Sequence, residues 1–176
     1  DGETKAETKE GIKEETEGPP EGTAAAEDNW AKLFEKTLEG DEQAVAKALD
    51  VSHIHVTSNR SYNNEDALQS AIYLAYIYAL NRYTIVREMT AGKGFADVVF
   101  LPVQKTDTAM IIELKKNGND GGAAGALDQI RRKQYFDSLT HYQGNLLFVG
   151  IDYDEKEKTH TCRMERFYKD QWPPPA

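Results

Sequence analysis

The stretch Phe95-Ala96-Asp97-Val98-Val99-Phe100-Leu101, followed after a polar turn by Ala109-Met110-Ile111-Ile112-Glu113-Leu114-Lys115, decides the fold. Both runs are apolar, of strand length and rich in Val, Ile and Phe, which predicts two strands, Phe95 to Val103 and Ala109 to Lys115. Each carries charge where a buried strand has little use for it. Asp97 interrupts the first run, and Glu113 and Lys115 end the second. Side chains alternate along a strand, so Glu113 and Lys115 share one face while Ile112 and Leu114 take the other. If the two strands form a hairpin, Asp97 and Glu113 converge at one end of it.

Outward from this hairpin the periodicity changes. Upstream, Trp30, Leu33, Phe34 and Leu38 fall at helical spacing, and Gly40-Asp41 reads as a stop and a restart. A second short helix is expected to about Leu49, with Val45, Ala48 and Leu49 on its apolar side. Asn63 and Asn64 then cap a longer helix from Glu65 to about Leu80, apolar nearly all round and so covered by other elements. Tyr83 to Met89 reads as a strand leading into the turn Ala91-Gly92-Lys93-Gly94. Downstream, a Gly/Asn/Asp-rich segment, Asn117 to Gly125, reads as a loose connection into a helix from Ala126 to Leu139. Strands Asn145 to Tyr153 and Thr159 to Phe167 follow, joined by the charged turn Asp154 to Lys158. The order is helix, three strands, helix, two strands. A crossover helix between strands implies an α/β protein with a mixed central sheet flanked by helices.

Composition bounds the partners. Of the net charge of −9 on 176 residues, segment 1–28 holds −7, with ten acids against three lysines, and only −2 is left for the rest. With Ile12 as its one large apolar side chain, that segment cannot bury enough surface to offset its ordering entropy, so it is expected to be a disordered acidic tail. The chain starts at Asp1 without a methionine, which reads as a fragment or a processed chain. The ordered domain is expected over residues 29–168, with a C-terminal tail over 169–176 that ends in Trp172-Pro173-Pro174-Pro175-Ala176. No run reaches the roughly 18 to 20 apolar residues of a membrane span. The single Cys162 excludes a disulfide framework and a cysteine-based zinc site. His53 and His55, expected at alternate positions on a short strand, suit a surface or core strand better than a metal. Together these features read as a soluble cytoplasmic protein.

Two carboxylates brought together repel each other and are costly to desolvate. A hard divalent cation removes that cost, and Mg²⁺ is typically held by one or two carboxylates together with waters and phosphate oxygens. A lysine beside such an ion can help deprotonate an attacking water and stabilise charge developing on phosphorus. Asp97 with Glu113-x-Lys115 therefore suits phosphodiester hydrolysis. The same residues would also suit a plain hairpin with a surface Glu–Lys pair and an edge aspartate.

Gly92-Lys-Gly-Phe-Ala-Asp97-Val-Val-Phe, Ile111-Ile-Glu113-Leu-Lys115 and Ala126-Leu-Asp-Gln129-Ile-Arg-Arg-Lys133-Gln-Tyr135 together resemble the PD-(D/E)XK nuclease superfamily. The likeness is strongest to the nuclease domain that follows an AAA-ATPase-like domain in many bacterial proteins. Asn64-Glu65 and Leu38-Glu-Gly-Asp41 match as well, so the resemblance spans roughly residues 30–168. It implies a restriction-endonuclease-like core of order α-β-β-β-α-β-β. It also implies a Mg²⁺- or Mn²⁺-dependent nuclease acting on nucleic acid, DNA in the first instance. Asp97, Glu113 and the Leu114 carbonyl would be metal ligands, and Glu65 would bind a second metal or a metal-bound water at the mouth of the site. Lys115 would be the catalytic lysine. Gln129 would reach the metal-bound water or a phosphate, with Tyr135 supporting its helix. Lys116, Arg131, Arg132 and Lys133 would contact phosphates. The superfamily's proline before the aspartate is Ala96 here, which leaves the ligands in place. An ATPase-like domain or partner would be absent from this chain, and Gly92-Lys93-Gly94 lacks the pattern of a phosphate-binding P-loop. The competing reading is a catalytically inactive domain of this fold that binds nucleic acid or protein.

Overall fold

The two deciding strands pair as a hairpin. β2 (Gly94–Pro102) and β3 (Ala109–Lys116) run antiparallel, with Val98 opposite Ile112 and Phe100 opposite Met110. The structure is a computed structural model that describes residues 31–56, 72–73, 76–91, 94–135, 139 and 142–171. β1 (Tyr83–Ala91) adds to β2 antiparallel, the pair closing at Ala91 opposite Gly94. β4 (Leu146–Asp154) lies parallel to β3, and β5 (Thr159–Phe167) returns antiparallel to β4. The sheet order is β1-β2-β3-β4-β5, with one parallel pair. A parallel pair needs a crossover, and α3 (Gly122–Lys133) supplies it on one face of the sheet. On the other face lie α1 (31–39) and α2 (Glu42–Val56).

β3 sits at the centre because its side chains are apolar to both sides. Ile112 and Leu114 pack with Leu33, Leu49 and Tyr76, while Ile111 packs with Ile130 of α3 and Phe148. Full burial of each such side chain stabilises by about 1.5–3 kcal/mol. The result is a three-layer α/β arrangement, the mixed sheet flanked by helices that the element order implies. Gly40 ends α1 in the left-handed conformation (φ +80°), and Asp41 restarts the chain by accepting the Ala44 N–H at 3.0 Å as the N-cap of α2.

Four expectations need correction or relocation. α2 runs to Val56 rather than stopping near Leu49, so His53 and His55 lie in a helix and not on a strand. The apolar pattern fades after Leu49, but Asp50 on this extension accepts the backbone N–H of His160 at 2.7 Å, tying α2 to β5. The Asn117–Gly125 segment is no loose connection. A 3-10 turn spans Asn119–Gly121, and α3 begins at Gly122, four residues early; it ends at Lys133, where Gln134 turns left-handed, rather than continuing to Leu139. Upstream of β1, residues 72–73 are helical and a 3-10 turn covers Ile77–Asn81. There Ile72, Tyr76 and Ala79 face the core while Ile77 and Leu80 are exposed, so this segment is not apolar-covered all round. Asn63, Asn64, Glu65, Gly92, Lys93, segment 1–28 and Trp172–Ala176 lie outside the described residues.

Candidate active site

The site begins where the β2–β3 ladder stops. Among the described residues, the pairing of these strands runs no further than Val98 opposite Ile112. In place of a ladder carbonyl, Asp97 Oδ2 accepts the Leu114 N–H at 2.8 Å. This side-chain bond holds the carboxylate beside β3 while the strands part. Asp97 and Glu113 are both buried, at 9% and 3% exposure.

Glu113 lies on the face of β3 covered by α3, which brings Gln129 to it. The Gln129 Nε2 donates to Glu113 Oε1 and, at 3.1 Å, to the Tyr135 hydroxyl. Lys115 Nζ donates to Gln129 Oε1 at 2.6 Å and stands 3.9 Å from Glu113 Oε1. The amide of Gln129 is thus oriented from both ends, because turning it over would set its carbonyl against a carboxylate and its NH₂ against an ammonium. Tyr135 holds its proton more tightly than an ordinary phenol. Burial is the main cause, the nearby negative charges of Glu113 and Asp97 add to it, and the Gln129 hydrogen bond opposes it.

α3 reaches this depth because Gly150 of β4 allows it, and Gly125 lets the preceding turn pack onto the helix. A β-carbon on Gly150 of β4 would lie 2.1 Å from the Ala123 carbonyl oxygen, and one on Gly125 would lie 1.7 Å from the Asp120 carbonyl oxygen. Glycine disfavours helix interiors, and here its role is close approach.

The structure therefore brings Asp97, Glu113, Lys115 and Gln129 together from β2, β3 and α3. It scatters the expected phosphate-binding cations. Lys116 alternates away from Lys115 and pairs with Glu155 at 3.0 Å. Arg131 pairs with Glu165 of β5 and with Asp128 at 3.4 Å. Arg132 and Lys133 are exposed in the last turn of α3. Two residues escaped the sequence reading. Asp152, buried on β4 beside Lys115, accepts the Gly118 N–H with both carboxylate oxygens at 3.1 Å. Its signal was available, for it interrupts an apolar strand as Asp97 does. Asp120 lies 3.6 Å from Lys115 Nζ and carried no such signal.

A family model for the PD-(D/E)XK nuclease superfamily matches residues 63–162, most of the described sheet together with α3. The chain belongs to the PD-(D/E)XK nuclease superfamily. No curated protein sequence matches the chain. The mixed sheet and its flanking helices agree with the restriction-endonuclease-like fold of this superfamily. Membership implies a nucleic-acid substrate, and PD-(D/E)XK nucleases typically use divalent metals. Among the described residues, no three His, Cys, Asp or Glu side chains gather into a metal-binding group. The oxygen donors at hand are the two buried carboxylates, Asp97 and Glu113. That set fits a hard cation such as Mg²⁺, which keeps several waters and needs only one or two carboxylates. Among the described residues no helix is long and apolar enough to cross a membrane.

Proposed function

We propose that this PD-(D/E)XK domain is a Mg²⁺- or Mn²⁺-dependent nuclease that hydrolyses phosphodiester bonds of DNA. The observation that carries the reading is the hydrogen-bonded group of buried Glu113 with half-buried Gln129 and Lys115, beside which buried Asp97 is held by the Leu114 N–H. Asp97, Glu113 and the Leu114 carbonyl would hold the cation, which supplies Lewis-acid activation of the phosphate and of a water nucleophile. Lys115 holds its ammonium beside Glu113, where it can accept charge developing on the phosphate and orient the water. Gln129 fixes Lys115 through its carbonyl oxygen and Glu113 through its amide nitrogen. Burial of the carboxylates keeps these interactions in a low-dielectric setting, where they are worth more than in water. Glu65 is proposed for the mouth of the site. Arg132 and Lys133 are proposed as the principal phosphate contacts, with Lys116 and Arg131 available once their acidic partners are displaced.

The unit carrying this activity is proposed to span residues 29–168, with 1–28 and 169–176 proposed as tails. A cytoplasmic setting goes with it, since the single Cys162 builds no disulfide. An AAA-ATPase-like domain or partner is proposed to accompany it. Labelled single-stranded DNA, duplex DNA and RNA with Mg²⁺, Mn²⁺ or EDTA test the activity. DNA cleavage that needs the metal and disappears in Lys115→Ala is the expected result. Cleavage that survives in that variant refutes the assignment. One other reading is a catalytically inactive domain of this fold that binds nucleic acid or protein. Calorimetry separates the two, since a module without the metal site takes up no Mg²⁺ at millimolar concentration.

A further inference from the structure

The loop between β3 and α3 presents a carboxylate to the lysine of this site. Asp120 Oδ2 lies 3.6 Å from Lys115 Nζ, and the Asp120 side chain is 76% exposed. The other two partners of Lys115, Gln129 and Glu113, are half-buried and buried. Asp120 therefore stands on the side of the ammonium that faces solvent, the side from which a phosphate approaches.

The backbone is built to keep it there. Asp120 adopts φ 51° and ψ 30°, a left-handed conformation that non-glycine residues seldom take. Two independent contacts hold that conformation. The Gly118 N–H is bound by both oxygens of buried Asp152, and the Asp120 carbonyl packs against Gly125 at a distance no β-carbon would permit. A residue fixed from both sides, whose carboxylate meets Lys115 alone among the described residues, points to a use for that contact.

We propose that Asp120 is the resting counter-ion of Lys115, a carboxylate gate that a substrate phosphate has to displace. The proposal rests on the nuclease reading above and deepens it. Before substrate arrives, Asp120 adds an exposed negative charge to the partners, Gln129 and Glu113, that the ammonium has on its buried side. An incoming phosphodiester then competes with a tethered carboxylate as well as with water and salt, so Asp120 sets how readily the site accepts a nucleic-acid backbone.

Fluorescence-anisotropy titration with a labelled, hydrolysis-resistant phosphorothioate DNA duplex in Mg²⁺ tests this on the wild type, Asp120→Asn and Asp120→Gly. Asparagine and glycine both accept the left-handed backbone, so the loop is retained, and thermal unfolding checks that it is. Both variants are expected to bind about two- to fivefold more tightly at low salt, the range an exposed ion pair commands. The gain narrows as salt rises and screens the pair. Equal or weaker binding by the variants overturns the gate, and so does a gain in only one of them, because the charge is missing from both. No binding by wild type or variants overturns the nuclease reading, and the gate falls with it.

Discussion

Gly150→Ala is the sharpest perturbation this architecture offers, because it acts on the site without touching a charged residue. The new methyl would lie 2.1 Å from the Ala123 carbonyl oxygen and 3.0 Å from the Ala126 β-carbon. The first of these contacts is backbone and cannot rotate away. Restoring an ordinary carbon–oxygen separation of about 3.3 Å requires α3 to retreat by about 1 Å. Overpacking of this kind costs about 1–3 kcal/mol. For a domain of this size that lowers Tm by about 2–12 °C, at about 2–4 °C per kcal/mol. The same retreat carries Gln129 away from Lys115, stretching a bond of 2.6 Å beyond hydrogen-bonding reach. A misplacement of about 1 Å can cost up to about 10²-fold in rate, so cleavage is expected to fall at least about tenfold. Gly40→Ala provides the control. Its β-carbon meets nothing within 4 Å, and its cost is the left-handed backbone alone (φ +80°). It should lose about 1 kcal/mol and leave the cleavage rate unchanged. The assays are thermal unfolding followed by circular dichroism and the initial rate on labelled DNA. A Gly150→Ala protein with wild-type Tm and rate would refute the claim that close approach of α3 builds the site.

Other expectations can be checked alongside it. Asp97→Asn keeps an oxygen for the Leu114 N–H and should hold Tm within a few degrees while abolishing Mg²⁺ uptake by calorimetry. Asp97→Ala should also lose about 1–3 kcal/mol, since it strands that buried N–H; equal Tm for the two variants would contradict this. His160 is buried and its ring donates through Nδ1 to Asp50 at 2.8 Å; burial lowers its affinity for a proton, and Asp50 opposes that only in part. The folded state thus binds fewer protons than the unfolded chain, whose histidine titrates near 6.5. The contribution of His160 to stability is then complete above that pH and is lost as pH falls below it. Urea unfolding from pH 7.5 to 5.5 should show this loss, and an unchanged slope in His160→Gln would assign it elsewhere. Arg131→Ala should lower Tm by breaking its contact with Glu165, whereas Arg132→Ala should leave Tm alone and weaken DNA binding in low salt. The opposite pattern would reverse their assigned roles.

Much of the fold was legible because it is written in local periods. The alternation in Ile111-Ile112-Glu113-Leu114-Lys115 places the acid and the lysine on one face, whatever else the chain does. The strand ends lie within a few residues of those expected, because apolar runs bounded by polar turns leave little choice. Helix ends were less legible. α2 outlasts its apolar pattern because β5 captures Asp50, a partner 110 residues away. α3 starts among glycines that propensity assigns to a loop, because Gly150 of β4 leaves room for its first turns, at Ala123 and Ala126, to pack closely on the sheet.

The sequence by itself marked the residues of the candidate site. Asp97, Glu113 and Lys115 are polar residues set into strands with no other use for them, and a hairpin suffices to bring the two carboxylates together. The tertiary structure alone decided what surrounds them. The parallel pairing of β3 and β4 sends α3 across the face that carries Glu113, which delivers Gln129 and Tyr135 to the site. The same crossover turns Arg131 toward Glu165, and strand alternation sends Lys116 to Glu155, so neighbours in sequence part in space. Asp120 meets Lys115 only because buried Asp152 and close-packed Gly125 fix a left-handed turn. The physical reason is one of range: side-chain alternation is settled within a few residues, while a crossover, a close approach and a strained turn are settled by groups far apart in the chain.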